Sequence, residues 1–274
     1  MAATSSRPKP KLSRIALREL NYSPEELRAW LISEEAQGFE GWDFSYLEGR
    51  WHSEQEPWNY RQIVLDHMGA NTRLLDMGTG GGEFLLSLGH ETRLCSVTEA
   101  YPPNLELCYR SLAPLGITVM PVDESDQLNF PSGSFDLVIN RHESYDLTEV
   151  NRVLIPGGSF ITQQVGGYND ADLVQKLRGS YQSEYPDHDL PHALEAAHEA
   201  GLEVLDSASC RGKILFYDLG ALVYFAKAAP WEFVGFSVEA NFERLLNLRE
   251  ELYETGAVAG TEERFFMIAR KPVS

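Results

Sequence analysis

The sequence predicts an α/β fold on a doubly wound, mostly parallel sheet, with aromatic-rich segments before and after it. Three observations carry that expectation. From residue 73 to 177, short apolar runs alternate with helical stretches, at the spacing of strand–helix–strand crossovers. A loop with glycines at 78, 80, 81 and 82 joins the first apolar run to the next helix. Aromatic clusters before residue 60 and after residue 216 break the alternation and fall outside the sheet-forming core.

In chain order, residues 1–20 are rich in Ser, Pro, Lys and Arg and read as a flexible arm, with Arg7, Lys9, Lys11, Arg14 and Arg18 as its cations. A helix follows, with Ser23 as N-cap, Pro24 at the first helical position and Glu26 completing a capping box before Leu27, Trp30 and Leu31. Residues 38–60 are irregular and carry Phe39, Trp42, Phe44, Tyr46, Trp51, Trp58 and Tyr60; a second helix spans about 57–68. Buried strands are expected at 73–77, 94–98, 117–122, 135–140 and 159–165, because these are short apolar runs bounded by turn residues. Helices are expected between and after them, at 82–88, 103–114, 147–154 and 171–177. Beyond Pro186 come a helix at 190–200, a strand at 203–208, an aromatic segment at 216–236, a helix at 238–253 and a last strand at 264–269. The organisation expected is one domain over 21–274, its core at about 57–210 plus 262–271, with lid or substrate segments at about 21–56 and 211–261.

Composition narrows the function classes. Of 274 residues 43% are hydrophobic, enough for a full core, so global disorder is excluded. The 23 Lys+Arg against 41 Asp+Glu give a net charge of −18, which repels phosphate backbones and argues against a generic nucleic-acid binder. Cys95, Cys108 and Cys210 form no CxxC motif, and an odd count argues against a disulfide framework. No apolar leader is visible at the N-terminus, and the most apolar late stretch, 214–231, is interrupted by Asp218, Lys227 and Pro230. A cytoplasmic protein without a membrane span is the expectation.

The glycine loop, LLDMGTGGGEFL at 74–85, leads a strand into a helix whose first N–H groups can meet a polar ligand group. A dinucleotide fits it poorly. GxGxxG spacing from Gly78 would require glycine where Glu83 stands, and Asp76 at the strand end would face a pyrophosphate of like charge. No Gly-Lys-Ser/Thr follows for a Walker A loop. Glu99, ending the second strand, is placed to accept ribose hydroxyls. After the third strand, Asp123, Glu124 and Ser125 can reach an adenine amino group. An amine, a ribose and an adenine without a pyrophosphate point to S-adenosylmethionine.

LLDMGTGGGEFL, VTEAYPPN, LNFPSGSFDLVIN and EVNRVLIPGGSFITQQVG, over about 70–165, resemble the successive motifs of class I S-adenosylmethionine-dependent methyltransferases. The resemblance implies a Rossmann-like, doubly wound sheet of seven strands whose last, antiparallel strand is the run at 264–269. It also implies that Gly78, Thr79, Gly80 and Gly82 cradle the methionine part, Asp76 its amino group and Glu99 the ribose. Asn140, ending the fourth strand, joins the same cofactor set, and the adenine position falls on Asp123, Glu124 or Ser125.

The fourth strand runs from Asn140 into Arg141-His142-Glu143-Ser144-Tyr145, a cation, an imidazole, a carboxylate and a phenol beside the expected methyl position. His142 is the candidate general base or substrate-orienting group, with Glu143 and Tyr145 as further catalytic candidates. The competing reading is that this cluster caps a helix and ties loops together. The loop lacks the Asn/Asp-Pro-Pro-aromatic motif of nucleic-acid amino methyltransferases, which turns the expectation away from base methylation. Arg141, Trp42, Trp58, Tyr217 and Trp231 are substrate-binding candidates; of Gln163 and Gln164 only one can face the site, and Gln164 is taken. The aromatic segments equally suit a second small core or a homodimer interface. His188 and His192 read better as neighbours of an N-capping Asp189 than as a metal pair, so no metal is expected. The function expected is methyl transfer to O or N of a small molecule, the alternatives being RNA or protein as acceptor, or cofactor binding without transfer.

Overall fold

The computed structural model describes residues 12–39, 44–123 and 126–273. The candidates Trp42, Glu124 and Ser125, and the cations Arg7, Lys9 and Lys11, lie outside the described residues. The chain divides into two compact units: one of residues up to Gln55, Tyr168–Glu184 and Arg211–Glu262, the other of Glu56–Gly167, Tyr185–Cys210 and Glu263 onward. The expected core at 57–210 thus loses residues 168–184 to the first unit.

Among the described residues, eight strands form one sheet: β1 (Trp51–Ser53), β2 (Leu74–Met77), β3 (Cys95–Glu99), β4 (Thr118–Pro121), β5 (Phe135–Arg141), β6 (Leu154–Val165), β7 (Glu203–Phe216) and β8 (Val258–Arg270). Their order is β1-β7-β8-β6-β5-β2-β3-β4. β2 pairs in parallel with β3 and β5, β3 with β4, and β5 with β6, while β8 is antiparallel to β6. The strand beyond the seven expected is β1, too short for its alternation to stand out.

In the second unit the period of two along each strand sorts side chains onto two faces. Leu74, Leu137, Ile139, Ile161, Phe266 and Ile268 pack with Tyr60 and Val64 of the helix Tyr60–Asp66, Leu85 of the helix Glu83–Ser87 and Cys108 of the helix Pro102–Ser111. The alternate residues Leu75, Met77, Val138, Phe160, Met267 and Ala269 pack with Val150 and Val153 of the helix Leu147–Val153 and Ala197 of the helix Leu190–Glu199. From β2 the chain builds outward through β3 and β4, then crosses to the other side of β2 to place β5. The order therefore reverses between β2 and β5, where Met77 lies opposite Asn140. A crevice at the carboxyl ends of the strands is expected at such a reversal.

The first unit has its own core, made by Leu27 and Leu31 of one helix (Pro24–Glu35), Leu173 and Leu177 of another (Ala171–Arg178), the apolar helix Leu219–Ala228, and one face of the amphipathic helix Val238–Thr255 through Val238, Phe242, Leu245, Leu248 and Leu252. The segment expected as a flexible arm differs from 14 onward. Arg14–Glu19 is a helix capped by Ser13, with Ala16 and Glu19 fully buried. Glu19 accepts from the Leu219 N–H with both carboxylate oxygens at 3.2 and 3.1 Å, satisfying an otherwise orphaned donor of the Leu219–Ala228 helix. Arg50 makes a bidentate pair with Asp218 and a third bond to Glu34, all three buried. Among the described residues, no helix is long and apolar enough to cross a membrane.

Candidate active site

The site is built at the ends of β2, β3 and β5. Asp76 is buried within β2, and its Oδ2 accepts from the Thr79 hydroxyl at 2.7 Å. Burial pushes its carboxyl up to about 6, against the lowering effects of the Thr79 hydroxyl and the Arg141 charge, and nearby Glu99 adds to the rise. A rise of that size is roughly 3 kcal/mol held against the charged form, which a bound cation would relieve. Glu99, also buried, accepts from the Gly80 N–H at 2.8 Å on one oxygen and from Ala100 and Tyr101 N–H at 3.0 and 2.8 Å on the other. The Thr79 hydroxyl thereby fixes one carboxylate, and backbone N–H groups the other, at the rim of the glycine loop.

Gly78, Gly80 and Gly82 all have positive φ, which L side chains rarely adopt. Their surroundings differ. A Cβ at Gly80 would meet nothing within 4 Å, so the loop is open there. At Gly78 a Cβ would fall 2.4 Å from Glu143 Cγ, and at Gly82 2.6 Å from a Leu112 methyl. Gly82 is thus required by packing on Leu112, while Gly78 lets Glu143 lie across the loop. The Glu143 carboxylate accepts from the Ser144 N–H at 3.0 Å, and burial pushes its pKa up, with Glu99 adding to the rise. Beside it a cleft of about 150 Å³ is lined by Gly78, Thr98, Ala100, Val122, Asp123, Asp126, Leu128, Glu143 and Ser144.

Residues after β5 separate into different surroundings. Asn140 is fully buried; its Oδ1 accepts from Thr162 Oγ1 and Gln164 Nε2, and its backbone oxygen accepts from the Tyr60 hydroxyl at 2.8 Å. Gln164 donates as well to Thr162 Oγ1 and the Glu143 carbonyl, so its amide holds the loop together from within. Tyr145 turns its ring onto Phe160 at 5.2 Å, and burial pushes its phenol up to about 12. Of the candidate pair, Gln163 rather than Gln164 adjoins His142: its Nε2 lies 3.4 Å from His142 Nε2, and its Oε1 accepts from Trp58 Nε1 at 2.8 Å. Arg141 sets its guanidinium 4.8 Å from the Phe84 ring centre.

His142 holds φ at +60°, a strained conformation for a residue other than glycine, and its N–H donates to the Gln163 carbonyl at 2.9 Å. Desolvation by the surrounding protein, then the positive charges of Arg264 and Arg141, push its pKa down to about 3. The residue keeps an exposed surface, and its ring is neutral at pH 7. Tyr60 and Gln163 are site residues that composition and motif spacing did not single out as the leading candidates. Tyr217 and Trp231 belong to the first unit.

Residues 75–162 match the family model described as a methyltransferase domain. Residues 75–162 are thus a methyltransferase domain. Solved structures agree with its fold. A protein of Bacillus halodurans C-125 assigned as a methyltransferase is 19% identical over 78% of this chain and 99% of its own, with a TM-score of 0.51. The YcgJ protein of Bacillus subtilis is 17% identical over 78% and 99%, also with a TM-score of 0.51. No curated protein matches the sequence significantly. The methyltransferase domain so defined spans β2 to β6, and it contains the glycine loop, both rim carboxylates and His142.

Proposed function

We propose that this methyltransferase binds S-adenosylmethionine in the cleft beside Gly78 and Gly80 and methylates an O or N atom of a small molecule. The observation that carries the reading is the acidic rim. Asp76 and Glu143 are both pushed upward by burial and by the neighbouring Glu99, so the cleft favours a ligand bearing positive charge. Asp76 and the open loop at Gly80 suit the amino-acid end of such a ligand, and Glu99 retains one lone pair, on Oε2, for a ribose hydroxyl. Ala100, Val122 and Leu128 supply apolar walls for an adenine, with Asp123 at the edge for its amino group. When bound, the cofactor supplies an electrophilic methyl group on sulfonium. The chain's residues then have to orient the acceptor and exclude water.

A small acceptor is favoured by the net charge of −18, which disfavours polyanions. Cell extract incubated with the protein and deuteromethyl cofactor should yield one labelled small product by mass spectrometry, with stoichiometric S-adenosylhomocysteine. Label in RNA or protein instead would move the acceptor class. Binding of S-adenosylhomocysteine by calorimetry without any labelled product would leave a cofactor binder.

A further inference from the structure

An indole N–H can only donate a hydrogen bond, and this simple asymmetry propagates through three side chains. Trp58 Nε1 donates to Gln163 at 2.8 Å, so the amide atom facing the indole must be Oε1. Its Nε2 is then the atom directed to His142, and an amide NH2 has no lone pair to accept with. His142 Nε2, 3.4 Å away, has to accept. We propose that the Trp58–Gln163 chain fixes His142 as the Nδ1-protonated imidazole, making it a hydrogen-bond donor to an anionic oxygen of the methyl acceptor.

The chain is anchored at both ends. The Trp58 ring lies 5.0 Å from Phe266, Gln163 is buried in β6, and the His142 backbone is tied to the Gln163 carbonyl. A protonated imidazole would set an Nε2–H against the Gln163 NH2, two donors facing one another, so the geometry itself favours the neutral ring. Nδ1 makes no hydrogen bond among the described residues, and the residue is exposed, which leaves that N–H for a ligand. The charges acting on the ring are those of Arg264, itself 3.9 Å from Glu56, and Arg141, and their positive sign attracts an oxyanion and repels an ammonium.

The inference rests on the methyltransferase reading and narrows its acceptor to a carboxylate or phenolate. A ring whose acceptor nitrogen is occupied by Gln163 is not a general base in this state, and an oxyanion needs none. The acceptor oxygen forms its bond to the methyl carbon with its own lone pair. The carbon–sulfur bond breaks with its pair staying on sulfur. The oxyanion becomes a neutral ester or ether, and no proton is released.

The test is long-range 1H–15N correlation on histidine-labelled protein at pH 7.5, which reads the tautomer of His142 without turnover. The wild type should show the Nδ1–H form, Trp58→Phe a mixture, and Gln163→Glu the inverted Nε2–H form, because a carboxylate accepts from both neighbours. An Nε2–H ring in the wild type, or no change in Gln163→Glu, overturns the proposal. Benzoate is the probe for the acceptor class: with S-adenosylhomocysteine bound, it should shift the Nδ1 proton and bind about tenfold more weakly to Gln163→Glu. Equal binding overturns the oxyanion assignment. Failure of S-adenosylhomocysteine to bind at all would instead strike the cofactor reading, and the tautomer in the free protein is read independently of it.

Discussion

Asp76 combines two properties that conflict in the free protein: it is buried in β2 beside another carboxylate, and it stands at the mouth of the loop proposed above to hold a cation. Burial pushes its carboxyl up to about 6, so the free protein holds a proton there more tightly than a solvated carboxyl does. An ammonium bound against it prefers the ionised form and so releases that proton. S-adenosylhomocysteine should therefore weaken by up to tenfold per pH unit below about 6 and be nearly pH-independent above 7. Calorimetry at pH 6 in two buffers of different ionisation enthalpy should show protons released. Asp76→Asn should bind about 10- to 100-fold more weakly, the magnitude of a lost charge-assisted hydrogen bond. Gly80→Ala separates backbone conformation from space. At φ +62° the new methyl meets no protein atom, so stability should fall only by the left-handed strain, about 1–2 kcal/mol, while the methyl fills the open loop. Denaturant titration should show the small loss, and calorimetry should show binding abolished. These positions stand out as candidates in the sequence because the carboxylate ends a strand and the glycine lies in the loop that follows it. Gln163 was harder to choose: its partner Trp58 lies 105 residues away, and no local pattern encodes that meeting.

Elements were legible where they alternate. β2, β3, β5 and β6 were anticipated because each is an apolar run closed by a turn. The helix Leu219–Ala228 was absorbed into an aromatic segment because it is buried on nearly every side, and a helix without a polar face has no 3.6-residue period to read. Arg14–Glu19 reads as an arm in the sequence because its reason for ordering is tertiary: a buried carboxyl capping a helix from 200 residues away. That contact makes a prediction of its own. Burial, and then Asp218, push Glu19 up to about 9, so the folded chain keeps its proton where the unfolded chain, near 4.5, has lost it. This contribution to stability is complete below about 4.5 and declines as pH rises towards 9, by at most about 1.4 kcal/mol per pH unit. Glu19→Gln keeps an acceptor for the Leu219 N–H and removes the titration. Its urea midpoint should vary less between pH 6 and 9 than the wild type's. Glu19→Ala should lose about 1–3 kcal/mol at pH 6, because the buried N–H is left without a partner.

At the scale of the whole molecule, the net charge of −18 and the local acidic rim act in the same direction, and they can be told apart by salt. S-adenosylmethionine carries an ammonium, a sulfonium and a carboxylate, a net charge of +1, whereas S-adenosylhomocysteine has lost the sulfonium and is neutral overall. The long-range field of the chain acts on net charge and is screened beyond about 10 Å at 0.1 M salt. Asp76 and the other rim groups are buried or half-buried and act at close range, where screening is weak. Raising salt from 20 to 200 mM should therefore slow association of S-adenosylmethionine and leave that of S-adenosylhomocysteine almost unchanged. The dissociation rates of both should move little. Stopped-flow fluorescence of the tryptophans offers a direct measurement. An equal salt effect on the two ligands would mean that the excess charge of this chain serves solubility alone, and that discrimination for the cation resides entirely in the rim. A selective effect would make the acidic surface part of how the enzyme takes up substrate and lets product go, since the reaction itself removes the charge by which the cofactor was drawn in.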